Sequence, residues 1–166
     1  MKIAYAFRRS TVYPHEAKEG WNLQPEPALT NFLGKVREIG FDGIELGFEV
    51  FGGHNATKQS VSELQKMLSD SGTPCVSVRA GGVLCTPIVG EENRDRLFKS
   101  IEIAGWLGVG IVNSALSGVP RNKTLGPISP GRAIQPGSSQ LASYQDFELT
   151  ASILREAGNR AGEIGA

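Results

Sequence analysis

Cysteine and histidine are scarce in this 166-residue chain, with two of each. Cys75 and Cys85 cannot make a disulfide framework and lack CxxC spacing. Both are expected as small buried thiols in or near a third strand, in a reducing compartment. A surplus of either charge is missing too, since 17 basic residues balance 17 acidic ones. Phosphate backbones are bound by an excess of Lys and Arg, so nucleic acid is not expected as the main partner. No window approaches a membrane span. Five uncharged residues between Lys2 and Arg8 are too few for the apolar core of a signal peptide. Arg8-Arg9 has no apolar stretch behind it, which weighs against a twin-arginine signal. The sequons Asn55-Ala56-Thr57 and Asn122-Lys123-Thr124 then read as chance matches, and a cytoplasmic protein without membrane contact is expected.

What is present is a repeat. Three times an amphipathic helix closes at a glycine-containing break and an apolar strand follows: Ile39-Gly40 into Phe41–Leu46, Ser71-Gly72 into Thr73–Val78, and Leu107-Gly108 into Val109–Asn113. Glycine just past the last periodic residue stops a helix because it takes a left-handed conformation without a Cβ penalty. A fourth break, Ile164-Gly165, is followed only by Ala166. The expectation is four βα units of a longer protein, cut before a fifth strand.

The elements follow from periodicity. Ile3–Phe7 predicts a first strand, and residues 8–24 a polar loop with Arg8, Arg9, Tyr13, His15 and Trp21. A helix from Pro25 would bury Leu29, Phe32, Leu33, Val36 and Ile39. Strand two centres on Ile44, and its loop, Gly47–Gln59, carries Phe48, Phe51 and His54. Ser60-Val61-Ser62-Glu63 resembles a capping box for a second helix through Leu64, Met67 and Leu68. Strand three spans Cys75–Arg79. A helix over Glu91–Leu107 places Leu97, Ile101, Ala104 and Leu107 on one side, with Glu91 and Glu92 at its positive end. Strand four covers Ile111–Ser114. The Gly-, Pro- and Ser-rich segment Ala115–Ala142 is long for a loop in a compact domain. Ser143-Tyr144-Gln145-Asp146 caps the last helix, with Phe147, Ile153, Leu154, Ala157, Ala161 and Ile164 along it. Strands about 30 to 40 residues apart fit consecutive parallel βαβ units in a single domain over residues 1–166. Their continuous apolar runs fit a sheet covered on both faces.

Two α/β folds begin this way. A dinucleotide-binding sheet needs a glycine-rich turn after strand one, and this chain has Arg8-Arg9-Ser10-Thr11 there. A (β/α)8 barrel collects its functional groups at the C-terminal ends of its strands, where this sequence has Arg8, Glu45, Arg79 and Asn113. The segments Met1–Ala6, Ile39-Gly-Phe-Asp-Gly-Ile-Glu-Leu-Gly47 and Leu107-Gly-Val-Gly-Ile-Val-Asn113 resemble the sugar phosphate isomerase/epimerase group, with its xylose isomerase-like barrels. The expected fold is therefore α/β, four parallel βα units forming the first half of a (β/α)8 TIM barrel.

The resemblance implies a metal-dependent isomerase or epimerase of a small sugar, polyol or sugar phosphate, moving a proton at the carbon beside a carbonyl. It implies a divalent ion (Mn, Mg, Co or Zn) held by two glutamates, an aspartate and a histidine on strands five to eight. None of those four positions lies in this sequence, so no catalytic residue or metal ligand can be assigned, and this chain alone is expected to bind no metal. The candidate substrate-binding residues are Arg8, Glu45, His54, Arg79 and Asn113. Glu45 could hold a sugar hydroxyl or form an ion pair with Arg8 or Arg79. Arg79 could receive a phosphate or carboxylate on its planar fork, or serve as partner to Glu45. Asn113 could bond a hydroxyl or cap its own loop. His15 and His54 are loop histidines that could equally be solvated. His54 follows Phe51-Gly52-Gly53, a stretch able to close over a sugar. Trp21, Phe48 and Phe51 could wall the ring or cover the barrel mouth, and Arg121, Lys123 and Arg132 could reach an anionic group or stay in water.

Two other functions compete. A DNA-repair endonuclease on a similar barrel would have zinc-binding histidines after strands three and four, where this chain has Arg79-Ala80-Gly81 and Asn113-Ser114-Ala115. A half-barrel that only binds or assembles would pair with another copy or with a separate second half, because open strand edges are a liability in a monomer.

Overall fold

The computed structural model describes residues 2–6, 28–85, 90–114 and 142–165. Its strands are β1 (Ala4–Ala6), β2 (Gly43–Gly47), β3 (Cys75–Arg79) and β4 (Val112–Asn113). Its helices are α1 (Ala28–Glu38), α2 (Lys58–Asp70), α3 (Gly90–Leu107) and α4 (Tyr144–Ile164). The four strands form one sheet in the order β1-β2-β3-β4, each parallel to its neighbour. Sequential order with a helix between strands is the arrangement of a βα barrel wall. Arg8, His15, Trp21, Arg121, Lys123 and Arg132 lie outside the described residues.

The same device makes all three passages from helix to strand. Gly40, Gly72 and Gly108 take φ of 101°, 76° and 69°. The residue after each glycine returns a hydrogen bond five positions back: Phe41 N–H to the Val36 carbonyl, Thr73 to Leu68, and Val109 to Ala104. That 6→1 bond is the Schellman motif, which satisfies a helix-end carbonyl and aims the chain at the sheet. Phe41 and Val109 then pack on the core that holds Val36 and Ala104.

The segment after Gly40 is architectural throughout. Phe41 meets the Tyr5 ring edge-on, with centroids 5.4 Å apart. The Asp42 carboxylate accepts from the Ile3 N–H at 2.7 Å, while the Asp42 N–H donates to the Ile3 carbonyl at 2.8 Å. Gly43 permits close approach of β3, since a Cβ there would lie 2.7 Å from both the Pro74 carbonyl oxygen and Val76 Cγ1.

That approach accompanies a bulge. Ile44 aligns with Cys75, but Glu45 aligns with Ser77, leaving Val76 as an extra residue. The Gln65 side chain serves the backbone of Cys75, accepting from its N–H at 3.1 Å and donating to its carbonyl at 3.3 Å. Beyond the bulge, alternation sends Leu46, Val78 and Val112 to the helix side. They join Phe32, Leu33, Val36, Ile44, Val61, Leu68, Ile103 and Ala104 in the main core. A second cluster, Leu97, Ile101, Ile153 and Ala157 with Ala80 and Leu84, holds α4 against α3.

Several boundaries differ from the sequence expectation. The cap of α2 is Thr57, not Ser60: Thr57 Oγ1 accepts from the Ser60 N–H at 3.2 Å, and Ser60 is the third residue of the turn. Ser60 Oγ accepts from the Thr57 N–H at 3.3 Å, in place of the usual Glu or Gln at that third position, so the helix starts three residues upstream. Ile39 is 73% exposed, because it sits where the Schellman turn leaves the helix face. β1 spans only Ala4–Ala6 of the expected Ile3–Phe7, and Phe7 is outside the described residues. β4 is two residues long, although the Val78 N–H to Ile111 carbonyl bond continues its ladder by one position. On α4, Ile153 and Ala157 are buried, whereas Phe147, Leu154 and Ile164 are exposed.

Candidate functional site

The face of the sheet turned away from the helices carries the polar side chains. Register places Ser77 beside Glu45, Arg79 beside Gly47, and Asn113 beside Arg79. One Glu45 oxygen, Oε2, accepts from Ser77 Oγ at 3.0 Å and from Asn113 Nδ2 at 3.0 Å. The other, Oε1, lies 3.6 Å from Arg79 Nη1, with both side chains largely buried. The bulge at Val76 is what makes this possible, because an unshifted register would set Glu45 against Val76.

Curvature is built into the same group. β2 and β4 are two strand spacings apart, roughly 9.5 Å in a flat sheet, and β3 lies between them. The Glu45 and Asn113 side chains bridge that gap at 3.0 Å, as side chains on the inner face of a barrel wall can. A concave polar face with helices on the convex side is barrel geometry.

A second charged pair extends the group. Glu49 follows β2 in a 3-10 turn (Phe48–Phe51), and Arg96 of α3 forms an ion pair with it. Arg96 Nε also donates to the Ala80 carbonyl at 2.7 Å, and its guanidinium lies 5.1 Å from the centroid of the Phe48 ring. A Cβ on Gly47 would sit 3.3 Å from Glu49 Oε2 and 3.5 Å from Arg79 Nη2, so the two pairs are neighbours. Asn93 Nδ2 donates to the Val83 carbonyl at 2.8 Å, and a Cβ on Gly82 would run into the Asn93 side chain.

Three of the five residues named from the sequence come together here: Glu45, Arg79 and Asn113. Arg8 lies outside the described residues. His54 is exposed in a second 3-10 turn (Gly53–Asn55), its ring edge-on to Phe48 with centroids 4.9 Å apart. The loop expected to close over a sugar is instead folded into those two turns, and Phe48 and Phe51 are buried in the main core. They have no surface to offer a sugar ring. Asn113 directs its amide to Glu45. Ser77, Glu49 and Arg96 were missed, though the alternation of Cys75-Val-Ser-Val-Arg79 puts Ser77 on the side of Arg79.

The donors at the strand ends are directed at the chain's own carboxylates. Glu45 is surrounded by a hydroxyl, an amide and a guanidinium, and Glu49 faces a second guanidinium. Neither carboxylate is arranged to take a divalent ion, and no group of three or more His, Cys, Asp or Glu converges among the described residues. The residues described here do not fit the metal implied by the resemblance. No helix among them is long and apolar enough to cross a membrane.

Solved structures share this fold. The chain superposes over its whole length on the D-psicose 3-epimerase of Clostridium cellulolyticum H10, crystallised with D-tagatose (TM-score 0.60, 17% identity, 50% of that chain covered). The chain has the fold of the first half of a xylose isomerase-like TIM barrel. An L-ribulose 3-epimerase matches equally well, with TM-score 0.60, 17% identity and 48% of its length covered. A xylose isomerase-like barrel from Mycobacterium smegmatis, solved with magnesium, matches over 86% of this chain and 45% of its own (TM-score 0.58, 20% identity). The chain thus spans about half the length of the structures it matches. No protein-family model matches it, and no curated protein matches it significantly.

Proposed function

We propose that this chain forms the substrate-holding half of a sugar isomerase or epimerase pocket. The observation that carries the proposal is the buried Glu45 carboxylate, bonded by Ser77 and Asn113 and faced by Arg79 on the side of the sheet away from the helices. A carboxylate offers about four acceptor directions; hydrogen bonds take two of them on Oε2, and Arg79 faces Oε1 at 3.6 Å. Oε1 accepts a sugar hydroxyl, and the two fixed donors keep the carboxylate aimed without reorganisation on binding. Proton removal beside the carbonyl, and its return, belong to groups outside the residues described. The divalent ion expected from the resemblance belongs there too.

The rest of the pocket is supplied, in this proposal, by four further βα units of a longer chain or of a partner. Two features support it: β1 and β4 each pair with a single strand among those described, and the matched structures are about twice as long. Saturation-transfer NMR of the chain with D-tagatose, D-psicose and L-ribulose tests the reading. Transfer to the sugar protons that weakens in Glu45→Gln is expected. No transfer to any of the three sugars would overturn it.

A further inference from the structure

The charges at the strand ends distinguish between classes of sugar. Each of the two arginines described there is already matched to a carboxylate, Arg79 to Glu45 and Arg96 to Glu49. Arg96 is also committed to the Ala80 carbonyl and the Phe48 ring. A phosphate placed against Arg79 would lie beside the Glu45 carboxylate and close to Glu49, whose Oε2 shares the space above Gly47 with Arg79 Nη2. Like charges brought together in a partly desolvated site are strongly disfavoured, and such repulsion is a recognised source of selectivity. Releasing Arg79 to meet the phosphate would leave Glu45 buried without its cation.

We infer that this half-pocket selects uncharged sugars or polyols and turns away their phosphate esters, because the guanidinium groups described at its strand ends face its own carboxylates. The inference rests on the sugar-pocket proposal and names its substrate class.

Calorimetric titration of the chain with D-tagatose and with D-tagatose 6-phosphate provides the test. The free sugar should bind tighter by roughly tenfold or more, the scale set by one like-charge contact. Inorganic phosphate should not compete with it. In Glu45→Gln the preference should shrink or reverse, since the fork of Arg79 is released to an anion. Ser77→Ala removes a hydrogen bond but no charge and should keep the preference. Tighter binding of the phosphate ester by the unaltered protein would overturn the inference and point to the basic residues of segments 7–27 and 115–141. Binding of neither ligand would instead overturn the pocket itself.

Discussion

Asn113 and Glu45 stand 68 positions apart in sequence and on strands that are not neighbours, yet their side chains meet at 3.0 Å across β3. This bond spans the intervening strand and closes the polar group on the face of the sheet away from the helices. It also explains how a carboxylate is tolerated there, since each donor around it offsets part of the cost of leaving water.

Removing that carboxylate should cost more than removing one of its neutral donors. Glu45→Ala leaves the Arg79 guanidinium largely buried without its anion, and a loss of about 3 kcal/mol is expected. Ser77→Ala removes a single hydrogen bond and should cost about 1 kcal/mol. Urea denaturation compares them, and equal losses would show that the charge pair carries no special weight.

Two glycines should respond to alanine in opposite directions. Gly43→Ala places a methyl 2.7 Å from the Pro74 oxygen and from Val76, a crowding expected to cost about 1–3 kcal/mol. Gly34 lies inside α1 with nothing within 4 Å of its would-be Cβ. Gly34→Ala should stabilise the protein by about 1 kcal/mol through helix propensity. Thermal melts of the two variants should move to either side of the parent.

The two thiols should differ in reactivity. Cys75 is buried in the core, and that burial raises its thiol to about 11. At pH 8 its thiolate is scarcer than that of an ordinary cysteine by roughly a hundredfold, two pKa units. Half-buried Cys85 should alkylate with iodoacetamide in the native protein, whereas Cys75 should react only after denaturant is added. The raised value also sets a direction for stability. The neutral thiol's contribution is complete below its ordinary value of 9.0 and is lost as pH climbs through about 11. Cys75→Ser should flatten that alkaline decline.

An acidic counterpart lies at the start of α4. The Asp146 carboxylate accepts from the Ser143 hydroxyl at 2.8 Å and from its N–H at 2.7 Å, which hold its titration below the usual carboxylate value. Stability from this cap is present above the ordinary value and disappears as pH falls through the lowered one. Asp146→Asn should reduce the steepness of acid unfolding followed by circular dichroism. Thr57→Ala, at the comparable cap of α2, should cost about 1 kcal/mol without altering the acid limb.

The fold was legible wherever a local rule governs the chain. Gly40, Gly72 and Gly108 mark helix ends because only a residue without Cβ takes the left-handed turn cheaply, so β3 was placed at Cys75–Arg79 from sequence alone. What depends on tertiary placement was not legible. Nothing local tells whether Phe48 and Phe51 turn inward, a matter settled by the 3-10 turn and the left-handed Gly52 that follows it. Among the site residues, Arg79 and Asn113 were visible as polar endings of apolar strands, and Glu45 as the one charge inside β2. Arg96 was not, because its role comes from reaching across from α3 to the ends of β2 and β3, and helix periodicity carries no sign of that.

The bond between Glu45 and Asn113 has a consequence for the order in which the molecule is made. Contacts within each βα unit close over short stretches of chain, and short loops close fast. Glu45 and Ser77 can find each other once β3 has docked, but the carboxylate has its full set of donors only after β4 arrives. During synthesis, Glu45 lacks one of its two hydrogen-bond donors until the ribosome has delivered Asn113. The polar group is therefore completed late in the life of the chain, and a polypeptide halted before its fourth strand would lack the bond that spans β3.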